Sequence, residues 1–240
     1  MTTHAPAART RVRTAVWGIL RLAAAALIAA AVIAQLDRTL QNAVANDFHL
    51  PTVTANFLSF FTIESNVLAA VVLVVAAVRG WTEREERDPA WLSVALAAVT
   101  TFMIITGLVY NLLLRGIELP QGQTVPWSNE VLHVVGPLLL LLDALFAPRR
   151  RGLPWGAVGI IVMYPIAWAV YTLVRAGLIT NPGTGEPWWY PYPFLNPHVQ
   201  GGYGGVALYI VGIAAAFAIV AWGVVALGRR RDPDRAAVDG

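Results

Sequence analysis

The stretch Asn56–Val78, NFLSFFTIESNVLAAVVLVVAAV, decides the fold. It is apolar over a length that can cross a lipid bilayer, which takes about 20 helical residues. Near its beginning it nevertheless contains Thr62, Glu64, Ser65 and Asn66. A carboxylate inside a membrane helix costs at least ~2.5 kcal/mol, so a residue of this kind usually serves a function. We therefore expect a membrane helix that carries a functional polar turn near its start.

The composition indicates a membrane protein throughout. Of the 240 residues, 57% are hydrophobic and only 13% are charged, and the mean hydropathy is +0.60. Soluble domains carry about 25% charged residues. The chain has no cysteine, which excludes disulfides and thiol chemistry. All 17 basic residues are arginines at the ends of apolar segments, a pattern that predicts contact with membrane lipids and not with nucleic acid.

Six apolar segments predict an all-α polytopic bundle of six transmembrane helices. They cover residues 16–36, 57–78, 90–114, 127–146, 155–178 and 204–227, within one domain at 15–228. Residues 1–14 are expected to form a disordered tail, and residues 229–240 a basic and then polar tail. The first segment also resembles a signal peptide, so cleavage of residues 1–36 stays open beside a retained helix.

The arginines orient the predicted bundle. Thirteen of the seventeen lie in the two tails, the loop 79–89 and the linker 147–154, which fall on one side of a six-helix bundle. Because such residues accumulate in cytoplasmic loops, we predict that both termini are cytoplasmic in a multi-pass plasma-membrane protein. The loop 179–203 then lies outside. Together with Trp127, the aromatic residues of this loop predict a belt at the membrane interface: Trp188, Trp189, Tyr190 and Tyr192. Alternatively, the loop folds over the outer mouth of the bundle as a lid.

Polar residues from several helices fall in one outer layer. At about 1.5 Å per residue, Thr62 and His133 lie at nearly the same depth on two helices that both run inward. Residues three or four apart share a helix face, so Asn66 aligns with Thr62 and Asn129 with His133. The other residues of this polar vestibule are Glu64, Ser65, Tyr110, Asn111, Tyr171, Arg175 and His198.

Structural interpretations also fit single members of this layer. A membrane threonine most often bonds its own helix backbone. Glu64 points about 160° from Thr62 at 3.6 residues per turn, so another helix should supply its partner, with Arg175, Arg115 or a histidine as candidates. Asp143 is expected to pair with the arginines at 149–151, and Arg21 to extend toward the membrane interface. Neither a metal site nor a cofactor is predicted.

Two segments resemble a known family. FFTIESNVL at 60–68 and NEVLHVVGPLLLLLDALF at 129–146 resemble the androgen-induced and androgen-dependent membrane proteins and their bacterial relatives. WYPYPFLNP at 189–197, followed by GGYGG, is similar to the segment before the last helix of the bacterial branch. Animal members are regarded as intramembrane threonine hydrolases of fatty-acid esters of hydroxy fatty acids. The resemblance implies six helices, Thr62 as nucleophile and His133 as its partner.

The resulting hypothesis is a lipid-ester hydrolase. A threonine hydroxyl needs a base to take its proton, and histidine titrates near neutrality. Asn66, Asn129 or Ser65 is expected to donate to the developing oxyanion, while the ester enters from the lipid and water from the outer mouth. The alternatives are a non-enzymatic protein that binds or transports a small molecule through the polar vestibule, and a structural partner in a membrane complex. Substrate identity and oligomeric state stay open.

Overall fold

In the computed structural model, which describes residues 5–83, 87–117 and 124–232, the chain is helical and the described residues contain no strand. The helices are α1 (Ala5–Ala45), α2 (Leu50–Leu58), α3 (Phe61–Thr82), α4 (Ala90–Val109), α5 (Pro126–Glu130), α6 (Gly136–Phe146), α7 (Ala157–Ala176) and α8 (Tyr203–Arg230). Two π-helical segments, Tyr110–Leu114 and Val131–Val135, extend α4 and join α5 to α6. A 3₁₀ turn forms at Pro193–Leu195.

Within the described residues, six helical stretches are long and apolar enough to cross a membrane, which confirms the prediction of an α-helical protein with six candidate spans. They are Arg11–Ala45, Phe61–Thr82, Ala90–Leu114, Pro126–Phe146, Ala157–Ala176 and Tyr203–Arg230. The first helix is longer than the predicted segment 16–36, because it begins at Ala5, inside the expected tail. Residues 1–4 and 233–240 of the predicted tails lie outside the described residues.

The segment expected as one helix at 57–78 is interrupted. Helix α2 ends at Leu58 and α3 begins at Phe61, with Phe60 in an extended conformation between them. The first backbone bonds of α3 run from the amides of Ile63 and Glu64 to the carbonyl of Phe60. The amides before them have no partner within the helix. Thr62 therefore lies in the first turn of α3 with a backbone N–H available to another group.

The bundle has two distinct ends. At one, which we call the terminal end, the beginning of α1 and the end of α8 meet the linker after α6, as shown by bonds from Arg13 to the carbonyl of Phe146 and from Arg231 to that of Ala147. The opposite end, the loop end, holds the α2–α3 interruption and the connection 177–202. Apolar side chains fill the interior between the two ends: Ala24, Ala25, Ile28, Ala69, Leu73, Val99, Met103 and Leu140.

A buried charged cluster closes the terminal end. The prediction that Arg21 reaches the membrane interface is wrong, because its side chain is 5% exposed and its Nε donates to Asp143 Oδ1 over 2.6 Å. Trp17 Nε1 also donates to Asp143 Oδ1, over 2.7 Å. Arg150 donates to Oδ2 over 2.5 Å, which confirms pairing of Asp143 with one of the linker arginines. This cluster joins α1, α6 and the linker through charge-assisted hydrogen bonds.

The connection 177–202 folds back onto the bundle at the loop end. The backbone N–H of Trp189 donates to the carbonyl of Ala176 over 3.0 Å. The rings of Trp189 and Tyr192 both pack edge-on against Phe60, each with a centroid separation of 5.5 Å. Trp189, Tyr190 and Tyr192 are buried inside the protein, so the expectation of an interfacial belt is wrong for these three residues. The connection covers the loop end instead.

Candidate active site

Thr62 and His133 come together at the loop end, as their matched depths predicted. Thr62 Oγ1 lies 3.3 Å from His133 Nε2, and the histidine is buried. A hydroxyl and a base that cooperate in catalysis lie about 2.6–3.2 Å apart, with looser distances common before substrate binds. The pair therefore has the contact that proton transfer from a threonine nucleophile requires.

The π-helical segment Val131–Val135 places His133 toward Thr62. Pro137, four residues after His133, has no N–H to bond the carbonyl of His133. The side-chain amide of Asn111 takes that place and donates to this carbonyl over 3.3 Å. Single π-helical turns of this kind are frequent at functional sites. The helix thus forms an altered turn around the histidine, immediately before Gly136 and Pro137.

The partners of the imidazole determine which nitrogen carries its proton. His133 Nδ1 lies 2.9 Å from the backbone carbonyl of Asn129, which can only accept a hydrogen bond. Nδ1 must therefore carry the proton in the neutral ring, and Nε2 presents its lone pair to Thr62. The ring of Tyr110 stacks on the imidazole with centroids 3.8 Å apart, and Asn129 Nδ2 bonds the Tyr110 hydroxyl over 2.5 Å. Both contacts fix the orientation of the histidine.

Tyr192 is a third member of the group that sequence reasoning did not select. Its hydroxyl lies 3.2 Å from Thr62 Oγ1 and accepts the backbone N–H of Thr62 over 3.2 Å. Because Thr62 donates its own proton to His133, the Tyr192 hydroxyl donates to Thr62 Oγ1. Burial raises the pKa of Tyr192 to about 12, which keeps this donor protonated. A directed chain therefore runs from Tyr192 through Thr62 and His133 to the carbonyl of Asn129.

Asn66 and Ser65 support the backbone of the site and do not face the Thr62 hydroxyl. Asn66 Nδ2 donates to the carbonyls of Thr62 over 2.8 Å and Leu132 over 3.2 Å, joining α3 to the π-helical segment. Ser65 Oγ donates to the carbonyl of Thr62 over 3.1 Å and lies 3.0 Å from Thr106 Oγ1. Because these groups and the Asn129 amide bond other partners, the structure offers no support for any of them as the oxyanion donor.

Glu64 has a different partner from those expected. It does point toward another helix, but its carboxylate accepts a hydrogen bond from the Tyr164 hydroxyl on α7. The prediction of an arginine or histidine partner is wrong, because Arg175 donates to Asn56 Oδ1 over 2.8 Å and Arg115 pairs with Glu130 over 3.1 Å. A neutral phenol, and not a cation, is therefore the hydrogen-bond partner of the Glu64 carboxylate.

The remaining residues of the predicted polar layer lie outside the Thr62–His133 group. The Tyr171 hydroxyl lies 2.9 Å from Ser59 Oγ, at the interruption between α2 and α3. His198 is exposed and stacks on Trp188 with a centroid separation of 3.7 Å. The residues of the predicted vestibule therefore form two sets. One surrounds Thr62 and His133, and the other makes contacts within the loop end.

Two cavities of opposite character meet at Thr62. The larger, about 290 Å³, lies between α4, α7 and α8 and is lined by uncharged side chains. Tyr110 and Tyr192 line it beside Thr62, and four of its other lining residues are exposed on α7 and α8: Ile166, Val170, Ala214 and Ala218. The cavity therefore opens sideways between these two helices. We call it the lateral cavity.

The smaller cavity measures about 30 Å³ and is lined by polar groups of Gln35, Thr62, Thr124, Asn129 and His133 together with apolar side chains. This volume suits a single water molecule, which needs a roomy site with several polar partners. Thr62 thus borders both an apolar and a partly polar cavity. Among the described residues, no three His, Asp or Glu side chains group closely enough to bind a metal ion.

No protein-family model, curated protein or solved structure matches this chain. Its class therefore rests on the fold and the site. In the part of the chain that the structure describes, the protein is helical with six candidate membrane spans, and a threonine–histidine–tyrosine group borders a cavity that opens sideways.

Proposed function

We propose that this protein is an integral membrane hydrolase of fatty-acid esters, related to the bacterial branch of the androgen-induced and androgen-dependent membrane proteins. Thr62 is the nucleophile and His133 the general base. The observation that carries the proposal is the 3.3 Å contact between Thr62 Oγ1 and His133 Nε2 at the edge of the lateral cavity. Histidine in the tautomer described above is ready to accept the threonine proton.

The reaction proceeds in two balanced steps. Thr62 Oγ attacks the ester carbonyl carbon, its proton passes to His133 Nε2, and the carbonyl π electrons move onto oxygen. Collapse of this oxyanion breaks the bond to the alcohol oxygen, which leaves with the proton from His133. Water then attacks the acyl-threonine through the same histidine, and the carboxylic acid leaves as Thr62 Oγ regains its proton.

The lateral cavity supports a lipid ester as substrate. Its uncharged lining favours a hydrocarbon chain, since burial of each CH₂ group contributes about 0.8 kcal/mol. Of the six candidate spans, α7 and α8 have the smallest shares of buried residues, so they are the spans least covered by the rest of the protein. An acyl chain would enter between them from the bilayer, with its carbonyl carbon at Thr62.

The proposed placement is a plasma membrane with both termini in the cytoplasm and the site in the outer half of the bilayer. The distribution of arginines supports this orientation, because positively charged residues accumulate on the cytoplasmic side. The apolar packing between the two ends of the bundle favours a hydrolase over a conduit. Leu73 and Leu140, which lie between the level of Thr62 and that of Asp143, are fully buried.

Hydrolysis by purified protein in lipid nanodiscs tests this function. We expect release of p-nitrophenol from a long-chain p-nitrophenyl ester and covalent labelling of Thr62 by a fluorophosphonate probe, located by peptide mass spectrometry. Thr62→Ala should abolish both signals, because it removes the hydroxyl that contacts His133 Nε2. Thr101→Ala is the matched control, since Thr101 is buried and bonds the Ala97 carbonyl of its own helix over 2.9 Å.

Turnover that survives in Thr62→Ala, or a label located on another residue, would remove Thr62 from the mechanism. A protein that neither hydrolyses esters of any chain length nor reacts with the probe would contradict the proposed function as a whole. Both results require that the variants fold, which a thermal melt in the same nanodiscs verifies.

A further inference from the structure

We propose that Tyr192, together with the backbone N–H of Thr62, forms the oxyanion-binding group of this site. Within the connection 177–202, Tyr192 alone is assigned this role, and the rest of the connection covers the loop end. This inference rests on the proposed hydrolase function and names the residue that stabilises its transition state. Acyl transfer develops negative charge on the former carbonyl oxygen, and fixed donors aimed at that oxygen supply much of the rate.

Both donors are in place beside the nucleophile. The Tyr192 hydroxyl lies 3.2 Å from Thr62 Oγ1 and 3.2 Å from the Thr62 backbone nitrogen. In the tetrahedral intermediate, the oxyanion and the former Thr62 Oγ are bonded to the same carbon. The Tyr192 proton reaches this oxyanion by rotation about the phenol C–O bond. The interruption between α2 and α3 leaves the Thr62 N–H outside the helical bonding pattern, where it bonds the Tyr192 hydroxyl. Exchange of that bond for one to the oxyanion makes this N–H the second donor.

The surrounding rings hold the phenol in position. Tyr192 packs edge-on against Phe60 at 5.5 Å, stacks on Phe194 at 5.1 Å and contacts Trp168 at 6.0 Å between centroids. Trp168 in turn donates its indole N–H to the carbonyl of Ser59 over 3.1 Å, which ties α7 to the helix interruption. The donor is thus pre-oriented before substrate arrives, as electrostatic stabilisation of a transition state requires.

Tyr192 is also the donor that best fits this role among the polar groups around Thr62. Ser65 and Asn66 direct their donors to backbone carbonyls, and Asn129 directs its amide to Tyr110. The Tyr192 side chain also lines the lateral cavity, so its hydroxyl reaches the space in which the ester would lie. Burial keeps this phenol in its neutral, donating form by raising its pKa to about 12.

Tyr192→Phe removes only the hydroxyl and preserves the ring packing. We expect kcat to fall by about 10²–10³, the usual loss for one oxyanion donor, while KM for the long-chain ester stays near the wild-type value. Affinity for a long-chain phosphonate inhibitor, which imitates the tetrahedral intermediate, should fall in parallel with kcat/KM. A residue that only supports the fold would not weaken the phosphonate selectively, because that loss requires a contact made in the transition state.

Tyr190→Phe is the matched control. Tyr190 lies two residues away in the same connection, is buried, and directs its hydroxyl to Tyr203. Its loss should leave kcat and phosphonate affinity close to wild type, and thermal melts should show that both variants fold. If Tyr192→Phe keeps wild-type kcat, or changes KM alone, the inference is overturned while Thr62-dependent turnover leaves the hydrolase function standing. Absence of Thr62-dependent turnover in wild type would overturn both.

Discussion

The two ends of the bundle both bury polar side chains, but they do so in different ways. At the terminal end, the Asp143 carboxylate pairs with two arginines, Arg21 at 2.6 Å and Arg150 at 2.5 Å, so the buried groups are charged and held by ion pairs. At the loop end, Thr62 and His133 form a neutral hydrogen-bonded group beside two cavities. The same chain segment supplies a residue to each end, since His133 and Asp143 lie on successive parts of one span.

This difference separates a structural role from a chemical one. A buried ion pair with three donors on one carboxylate is costly to open, because removal of one partner leaves a charge uncompensated. The Thr62–His133 group is held by hydrogen bonds between neutral side chains, and the Thr62 hydroxyl borders the lateral cavity. We therefore expect substitutions at the terminal end to change stability and those at the loop end to change activity.

The largest expected effect is on activity and comes from the loop end. His133→Ala removes the base that takes the Thr62 proton, and we expect ester hydrolysis per folded molecule to fall by about 10²–10⁴. Because the truncated ring is buried, a thermal melt gives the folded fraction of the variant. The assay is hydrolysis of a long-chain p-nitrophenyl ester in nanodiscs. His198→Ala is the control, because His198 is exposed and contacts Trp188 outside the site. Equal hydrolysis rates in His133→Ala and His198→Ala would contradict the role of His133 as the base.

The next effect is on stability and comes from the terminal end. Asp143→Asn leaves Arg21 and Arg150 without their counter-charge, and we expect the free energy of unfolding to fall by about 3–5 kcal/mol. The folded fraction should still hydrolyse ester at the wild-type rate per molecule. Glu130→Gln disrupts an exposed pair with Arg115 and should leave the thermal melt unchanged. Loss of specific activity in Asp143→Asn would show that the two ends are coupled.

The smallest expected effect is at Gly136, where one substitution should change both stability and activity. A Cβ on Gly136 would lie 2.8 Å from Met103 Cε and 2.9 Å from the Val131 carbonyl oxygen, inside the π-helical segment that places His133. We expect Gly136→Ala to cost about 1–3 kcal/mol of stability through overpacking. It should also lower hydrolysis, because relief of the clash displaces His133.

Gly159→Ala on α7 is the matched control for this substitution. A Cβ at Gly159 would have no neighbour within 4 Å, so alanine should raise stability by up to ~1 kcal/mol through helix propensity. Activity should stay at the wild-type level. If Gly136→Ala keeps the stability and the hydrolysis rate of the wild type, the π-helical segment accommodates the added methyl group and the prediction is wrong.

Much of the fold was predictable, because hydropathy over six long segments is a strong local signal. The approach of Thr62 to His133 was also predictable, since depth along two parallel spans needs only the topology and the helical rise. The interruption at Ser59 and Phe60 was not, because neither proline nor glycine marks it. It results from side-chain contacts with Tyr171, Trp168 and the last connection, which are distant in sequence.

The partners of single residues were the least predictable part. The direction of Glu64 followed from helical spacing, but its bond to Tyr164 depends on the rotation of α7, which sequence periodicity alone does not fix. The contact of Tyr192 with Thr62 was not predictable, because Tyr192 is one of several aromatic residues in a connection without periodicity. The composition of that connection favours an interfacial belt. Arg21 was misread because its counter-charge, Asp143, lies 122 residues away on another span.

The lateral cavity has a practical consequence for handling this protein outside its bilayer. Because the opening between α7 and α8 is lined by uncharged side chains, we expect it to admit the tail of a detergent used for extraction as well as an acyl chain. A long-tailed detergent would then act as a competitor for the same space, and the measured KM would rise with micelle concentration. Exchange into nanodiscs, or into a detergent too bulky to pass between the two helices, removes that competition.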